Sequence, residues 1–170
     1  FDHYVHSSLI TGVKSVGCRL LPYLHNDVCH LEKLLQGLSD YRQAFVVTES
    51  VFSTEGSIAP FDDIVRLCNE YDVIPIIDDS HGIGVIGTSG RGILEDKKIK
   101  NYRGIYTASV GKAMANFGGM VGGGKNLIEY LRSACSSLIY STALPPAILL
   151  GIEKAIDIVE AEFPVLGGRM

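Results

Sequence analysis

The sequence predicts an α/β fold, a mostly parallel sheet with helices on both faces. Three observations carry that expectation. Short apolar runs recur without the alternation of a half-wet sheet, as strands covered on both faces require. Stretches of helical period separate them. Side chains with catalytic chemistry fall just past the ends of the runs, where ligands bind on such sheets.

In chain order, a helix is expected over residues 6–16, with Ser7 and Ser8 near its start and Gly17 at its end. A strand is expected over 19–24. Asn26, a good N-cap, precedes a helix over 27–35 with Leu31, Leu34 and Leu35 on one face. The run 44–48 is the next strand. Pro60 precedes a helix over 61–71 whose inner side carries Phe61, Ile64, Val65, Leu67 and Cys68. Strands over 73–77, 105–109 and 119–122 follow, with helices over 126–136 and 146–162.

At 170 residues the chain is long enough for one domain with a real core. With 46% hydrophobic and 20% charged residues it reads as globular and soluble rather than disordered. A net charge of −4 and the lack of a basic run argue against a nucleic-acid partner. No apolar stretch approaches the ~20 residues of a membrane span. Phe1-Asp2-His3-Tyr4 shows no positive leader, and a cytoplasmic location is expected. The chain starts without Met, inside a strand-to-helix junction, and ends abruptly at Gly167-Gly168-Arg169-Met170. It therefore reads as a piece of a longer protein. Cys18, Cys29, Cys68 and Cys135 form no C-x-x-C and each sits in an apolar pattern, so reduced, buried thiols are expected.

The chemistry centres on Lys112, in Ser109-Val110-Gly111-Lys112-Ala113 just after one apolar run. The preceding run ends in Asp78-Asp79-Ser80-His81. An acid at one strand end, a His three residues on and a lysine at the next strand end are the parts that hold pyridoxal 5'-phosphate (PLP). The lysine forms the Schiff base, the acid keeps the pyridine nitrogen protonated, and the His reaches the phenolic oxygen. Asp78 alone would be a paired core carboxylate and Lys112 alone a surface lysine; together they favour an enzyme. Asp79 is then a structural hydrogen-bonder.

Two glycine motifs compete with that reading. Residues 82–87 spell G-x-G-x-x-G after a strand, but no helix opens at once, and Thr88-Ser89-Gly90-Arg91-Gly92 continues as loop chemistry. Residues 119–125 spell the start of a phosphate loop, but Asn126 replaces its Ser/Thr, leaving a glycine-rich turn beside the lysine. Neither His3 with His6 nor His25 with Cys29 and His30 supplies four ligands at metal-site spacing, so no metal is expected.

Taken in order, the motifs resemble those of the α-oxoamine synthases, a branch of the fold-type I PLP enzymes. They run from His6-Ser7-Ser8 and Gly12 through His25-Asn26-Asp27 to Thr48-Glu49-Ser50-Val51-Phe52-Ser53, Gly56 and Ala59-Pro60. Asp78-Asp79-Ser80-His81-Gly82, Gly90-Arg91-Gly92, Ser109, Gly111-Lys112-Ala113 and Gly118-Gly119 follow. Tyr140-Ser141-Thr142-Ala143-Leu144-Pro145-Pro146 closes the match. Thr54-Glu55 stands where Met-Asp is usual, Ala115 where Gly is usual and Ser109 where Thr is common; none of these removes a catalytic group.

The resemblance implies an aspartate aminotransferase-like large domain, here partial over residues 1–170, without the family's N-terminal segment and C-terminal small domain. It implies PLP as cofactor and a decarboxylative joining of an amino acid to an acyl-CoA. L-alanine and pimeloyl-CoA are the expected substrates, and sister branches of the family share nearly all these motifs. His81 and Ser53 would bond the phenolic oxygen, His6 would stack on the ring, and Ser109 would hold the phosphate. Ser141 and Thr142 would reach the phosphate of a neighbouring protomer, because the family forms homodimers with shared sites. Two other classes stay open: a different fold-type I aminotransferase or lyase, and a non-catalytic nucleotide-binding module.

Overall fold

Four strands form one sheet in the order β1 (Phe45–Glu49), β2 (Ile74–Asp78), β3 (Ile105–Ser109) and β4 (Gly119–Gly122). β1 and β2 are parallel, as are β2 and β3, whereas β4 runs antiparallel to β3. The computed structural model describes residues 1–167; the chain end at Gly168-Arg169-Met170 lies outside the described residues. The helices are α1 (Ser7–Ser15), α2 (Val28–Gln36), α3 (Phe61–Glu70), α4 (Ile93–Asp96), α5 (Lys125–Ala134), α6 (Ser136–Ile139) and α7 (Pro146–Leu166). The α/β class and the mostly parallel sheet are as expected from the sequence.

The core lies between the sheet and α2 and α3. α3 buries Phe61, Ile64, Leu67 and Cys68 on one stripe, with Ile77 of β2 and Val46 of β1 in the same cluster. Val65, expected on that stripe, is only half-buried at its edge. Each fully buried large apolar side chain contributes about 1.5–3 kcal/mol. The same burial pushes the Cys68 thiol up to about 12.

The strand expected over 19–24 does not form. Tyr23 makes only a single bridge, donating its N–H to the Phe1 carbonyl at 2.9 Å and accepting from the His3 N–H at 3.1 Å. Pro22 has no N–H to extend the ladder. Asp2 in turn donates to the Val47 carbonyl at 3.0 Å, so the N-terminus lies beside β1. The cap of α2 is also shifted. Asn26 adopts a left-handed φ of 54°, and Asp27 caps the helix by accepting the His30 N–H at 2.8 Å. The helix expected over 126–136 breaks at Cys135, whose ψ of 103° is extended, into α5 and α6. Cys18 and Cys29 are exposed, not buried, because α1 has no buried residue and Cys29 faces away from the Leu31–Leu35 stripe.

The glycine-rich stretch after β2 is a loop, and α4 opens only after it. Its glycines make room for carboxylates rather than for a dinucleotide. A Cβ on Gly82 or Gly92 would sit 2.0 or 1.9 Å from an Asp79 carboxylate oxygen, and one on Gly87 2.5 Å from Glu95 Oε2. Asp79 is fully buried and structural, as the sequence suggests: Oδ2 accepts from the Tyr106 hydroxyl at 2.7 Å and the Ile93 N–H at 3.0 Å. Burial holds its carboxyl above the ordinary range against the pull of Ser50, Tyr106 and Ile93. The second glycine motif, 119–125, is spent on β4 and the entry to α5, so it forms no phosphate cradle.

Candidate active site

Three parallel or adjacent strand ends converge at one edge of the sheet. Glu49, the last residue of β1, stands in register with Asp78, the last of β2, and Asp78 in turn pairs with Thr107 of β3. Short apolar strands put these polar residues where the sheet stops covering the backbone, so they face a common space. α1 brings His6 to the same space through its N-terminus.

The space is a cavity of about 240 Å³. It gathers five of the expected residues: His6, Asp78, His81, Ser109 and Lys112. Ser8, Glu49 and Ser80 also line it. A larger cavity of about 490 Å³ under α7 has a mostly apolar lining that includes Met114, Met120, Ile156 and Val159, and none of the expected site residues. The donor chemistry therefore selects the smaller one.

A relay of short bonds fixes the loops around it. Asp78 Oδ1 accepts the Ser80 N–H at 2.9 Å, and Ser80 Oγ accepts the Ser109 N–H at 2.8 Å. Ser109 Oγ accepts the Gly111 N–H at 3.1 Å, one residue before Lys112. His6 caps α1, its Nδ1 lying 2.8 Å from Ser8 Oγ and accepting the Ser8 N–H at 3.3 Å. Its backbone N–H donates to Glu49 Oε1.

Electrostatics separate the roles. The His81 imidazole is held below its ordinary pKa by burial and then by the Lys112 charge, against the opposing pull of Asp78. A neutral ring at that place is suited to hydrogen-bond an oxygen. The Lys112 side chain is exposed. Glu49 is 3% exposed, and burial, followed by the neighbouring Asp78 charge, raises its carboxyl against the pull of the His6 and Ser53 N–H groups.

Three expected residues are not brought into the lining. Ser53 is exposed, because the buried Phe52 ring anchors a tight turn, with Phe52 N–H bonded to Ser57 O at 2.9 Å, that carries Ser53 outward. Ser141 and Thr142 are exposed beyond α6. Among the described residues, no group of three or more His, Cys, Asp or Glu is placed to hold a metal ion, and no helix is long and apolar enough to cross a membrane. Sequence reasoning gave no role to Glu49 or Ser80. The available signal was position: each stands at or just past a strand end beside Asp78.

The site and fold together define a member of the aminotransferase class I and II family, to which this chain belongs; the family model matches residues 1–163. The 8-amino-7-oxononanoate synthase of Bacillus pumilus (strain SAFR-032) is 36% identical over 158 residues, which is 93% of this chain and 40% of that protein. In structure, the 8-amino-7-oxononanoate synthase of Francisella tularensis matches with a TM-score of 0.80 at 33% identity, over 94% of this chain and 45% of that one. Serine palmitoyltransferase from S. paucimobilis, bound to a PLP–myriocin aldimine, matches with a TM-score of 0.87 at 26% identity, over 94% of this chain and 41% of that one. The fold is thus that of the fold-type I PLP transferases. The chain spans less than half the length of these relatives.

Proposed function

We propose that the whole protein to which this chain contributes is a PLP-dependent acyltransferase of the α-oxoamine synthase branch. It joins L-alanine to pimeloyl-CoA with loss of CoA and carbon dioxide, the biotin-pathway reaction. The observation that carries this reading is the meeting of Lys112, Asp78 and His81 in one cavity at the strand ends. That donor set fits PLP: an amine, a carboxylate, an imidazole held toward its neutral form, and a serine hydroxyl beside backbone N–H groups.

PLP, when bound, supplies an electron sink for charge at the substrate α-carbon. Lys112 would provide the amine that anchors the cofactor and would serve as the base for the α-proton. Asp78 holds the proton on the pyridine nitrogen. His81 would orient the ring through its phenolic oxygen; Ser53, exposed on this chain, is the other residue expected to bond that oxygen. Ser109 would hold the phosphate, and His6 would lie against the ring. Ser141 and Thr142, exposed on this chain, are free to reach the phosphate site of a second protomer in a homodimer. On this reading the carboxylate grip and part of the cofactor and CoA contacts would be supplied by parts of the full-length protein other than residues 1–170.

The likeness to serine palmitoyltransferase favours one second reading, the same chemistry on serine and palmitoyl-CoA. Steady-state CoA release by the full-length protein separates the two. Turnover with L-alanine and pimeloyl-CoA supports the first, and turnover only with serine and palmitoyl-CoA supports the second. Absence of CoA release with either pair, together with transamination of an amino acid, would overturn both.

A further inference from the structure

We propose that Glu49 is a positioning residue of this site: its carboxylate clamps the backbone of His6 and so fixes the imidazole at the mouth of the cavity that holds Asp78 and Lys112. The proposal rests on the reading of that cavity as a PLP site, but its mechanical part can be tested without cofactor.

Glu49 ends β1, where the run Phe45-Val46-Val47-Thr48 would otherwise continue apolar or neutral. Its side chain is 3% exposed, yet no lysine or arginine pairs with it among the described residues. A buried carboxylate without a counter-ion is costly unless hydrogen bonds compensate it. Here the compensation comes from backbone: Oε1 accepts the His6 N–H. That donor belongs to the residue expected to stack on the ring. One acid therefore ties the entry to α1 to the end of β1.

The His6 bond matters because of where His6 sits. It is the N-cap of α1, a helix with no fully buried residue that touches the core only through the partly buried Leu9 and Ile10 and, just before it, Val5. An N-cap amide lies outside the helical bonding pattern and is normally open to water. The bond across 43 residues to Glu49 ties His6 itself to the end of β1, beyond the Asp2–Val47 bond that already lays the N-terminus along that strand. The His6 ring, restrained by its own bonds to Ser8, then has a fixed base from which to project.

The test compares three forms of the full-length protein. In the wild type, amide hydrogen exchange at His6 should be at least about tenfold slower than at Ser7, although both side chains are exposed. Glu49→Leu fills the space but accepts no hydrogen bond. It should erase that protection and weaken PLP binding about tenfold, read from the visible absorbance band. Glu49→Gln keeps an acceptor oxygen and should restore most of both. Equal exchange at His6 and Ser7 in the wild type would overturn the proposal even if Glu49→Leu does not fold. So would a folded Glu49→Leu that keeps the wild-type protection. If the wild type binds no PLP, the PLP-site reading fails, while the exchange comparison still decides whether Glu49 clamps His6.

Discussion

The Ser80 hydroxyl accepts the Ser109 backbone N–H at 2.8 Å, across 29 residues of sequence. This bond joins the turn after β2, which carries His81, to the turn after β3, which carries Lys112. Two loops that are distant in the chain thereby keep one geometry. Removing the hydroxyl in Ser80→Ala leaves a partly buried N–H without a partner. The expected loss is about 1–3 kcal/mol of stability, read by urea unfolding, with weaker PLP binding alongside. A Ser80→Ala protein of unchanged stability would show that water replaces the hydroxyl at no cost.

Asp79 is expected to matter for folding rather than for chemistry. Its Oδ2 serves both the Tyr106 hydroxyl and the Ile93 N–H, linking β2, β3 and the start of α4. Asp79→Ala strands both donors, each at about 1–3 kcal/mol. Thermal unfolding should therefore show a much lower midpoint, or no cooperative transition. Asp79→Asn, which keeps one acceptor oxygen, should fall between the two.

Glu95 makes the glycine-rich loop acid-sensitive. Its carboxylate accepts from Thr88 Oγ at 3.0 Å, Ser89 Oγ at 2.7 Å, and the backbone N–H groups of Ser89 and Arg91 at 3.0 and 3.2 Å. The Ser89 N–H and hydroxyl, aided by Arg91 and Thr88 and opposed by burial, lower it to about 2 from an ordinary 4.5. A depressed carboxylate stabilises the fold above its unfolded pKa and loses that contribution as pH falls through the folded one. Limited proteolysis within residues 84–92 should thus stay slow near neutrality and accelerate between about pH 4.5 and 2. Glu95→Gln should be cut readily at neutral pH and lose that dependence.

Asp78 should be essential to reactivity but not to the fold. On the proposed reading, Asp78→Asn would deprive the pyridine nitrogen of its anionic partner and weaken the electron sink. The α-proton exchange of bound L-alanine, followed by NMR in deuterium oxide, should drop by roughly several orders of magnitude. Near-normal exchange would mean that another group holds the ring nitrogen.

Much of this was legible because strands are short and their ends are chemically abrupt. The runs containing Phe45–Glu49, Ile74–Asp78 and Ile105–Ser109 stand out as apolar, and Asp78, Ser109 and Lys112 stand out by ending or following them. The run at 19–24 looked similar, but Pro22 and a single available neighbour limited Tyr23 to one bridge, which no local pattern reveals. Ser53 follows β1 as His81 follows β2, yet the Phe52 anchor turns it toward solvent; that outcome depends on a tertiary contact. Glu49 was hidden for a different reason. Its partner is a backbone N–H 43 residues away, and a main-chain donor has no sequence signature. α4 is a four-residue helix opened by Asp79, too short for any periodicity to mark it.

The central claim is that Lys112 is the covalent anchor of PLP in a site built from the ends of β2 and β3. Borohydride reduction of the full-length protein with PLP, followed by peptide mass spectrometry, tests it most directly. The account predicts one reduced phosphopyridoxyl adduct, on Lys112, and loss of both adduct and visible band in Lys112→Ala while the fold persists. An adduct on another lysine, such as Lys125, or an unchanged band in Lys112→Ala, would contradict it.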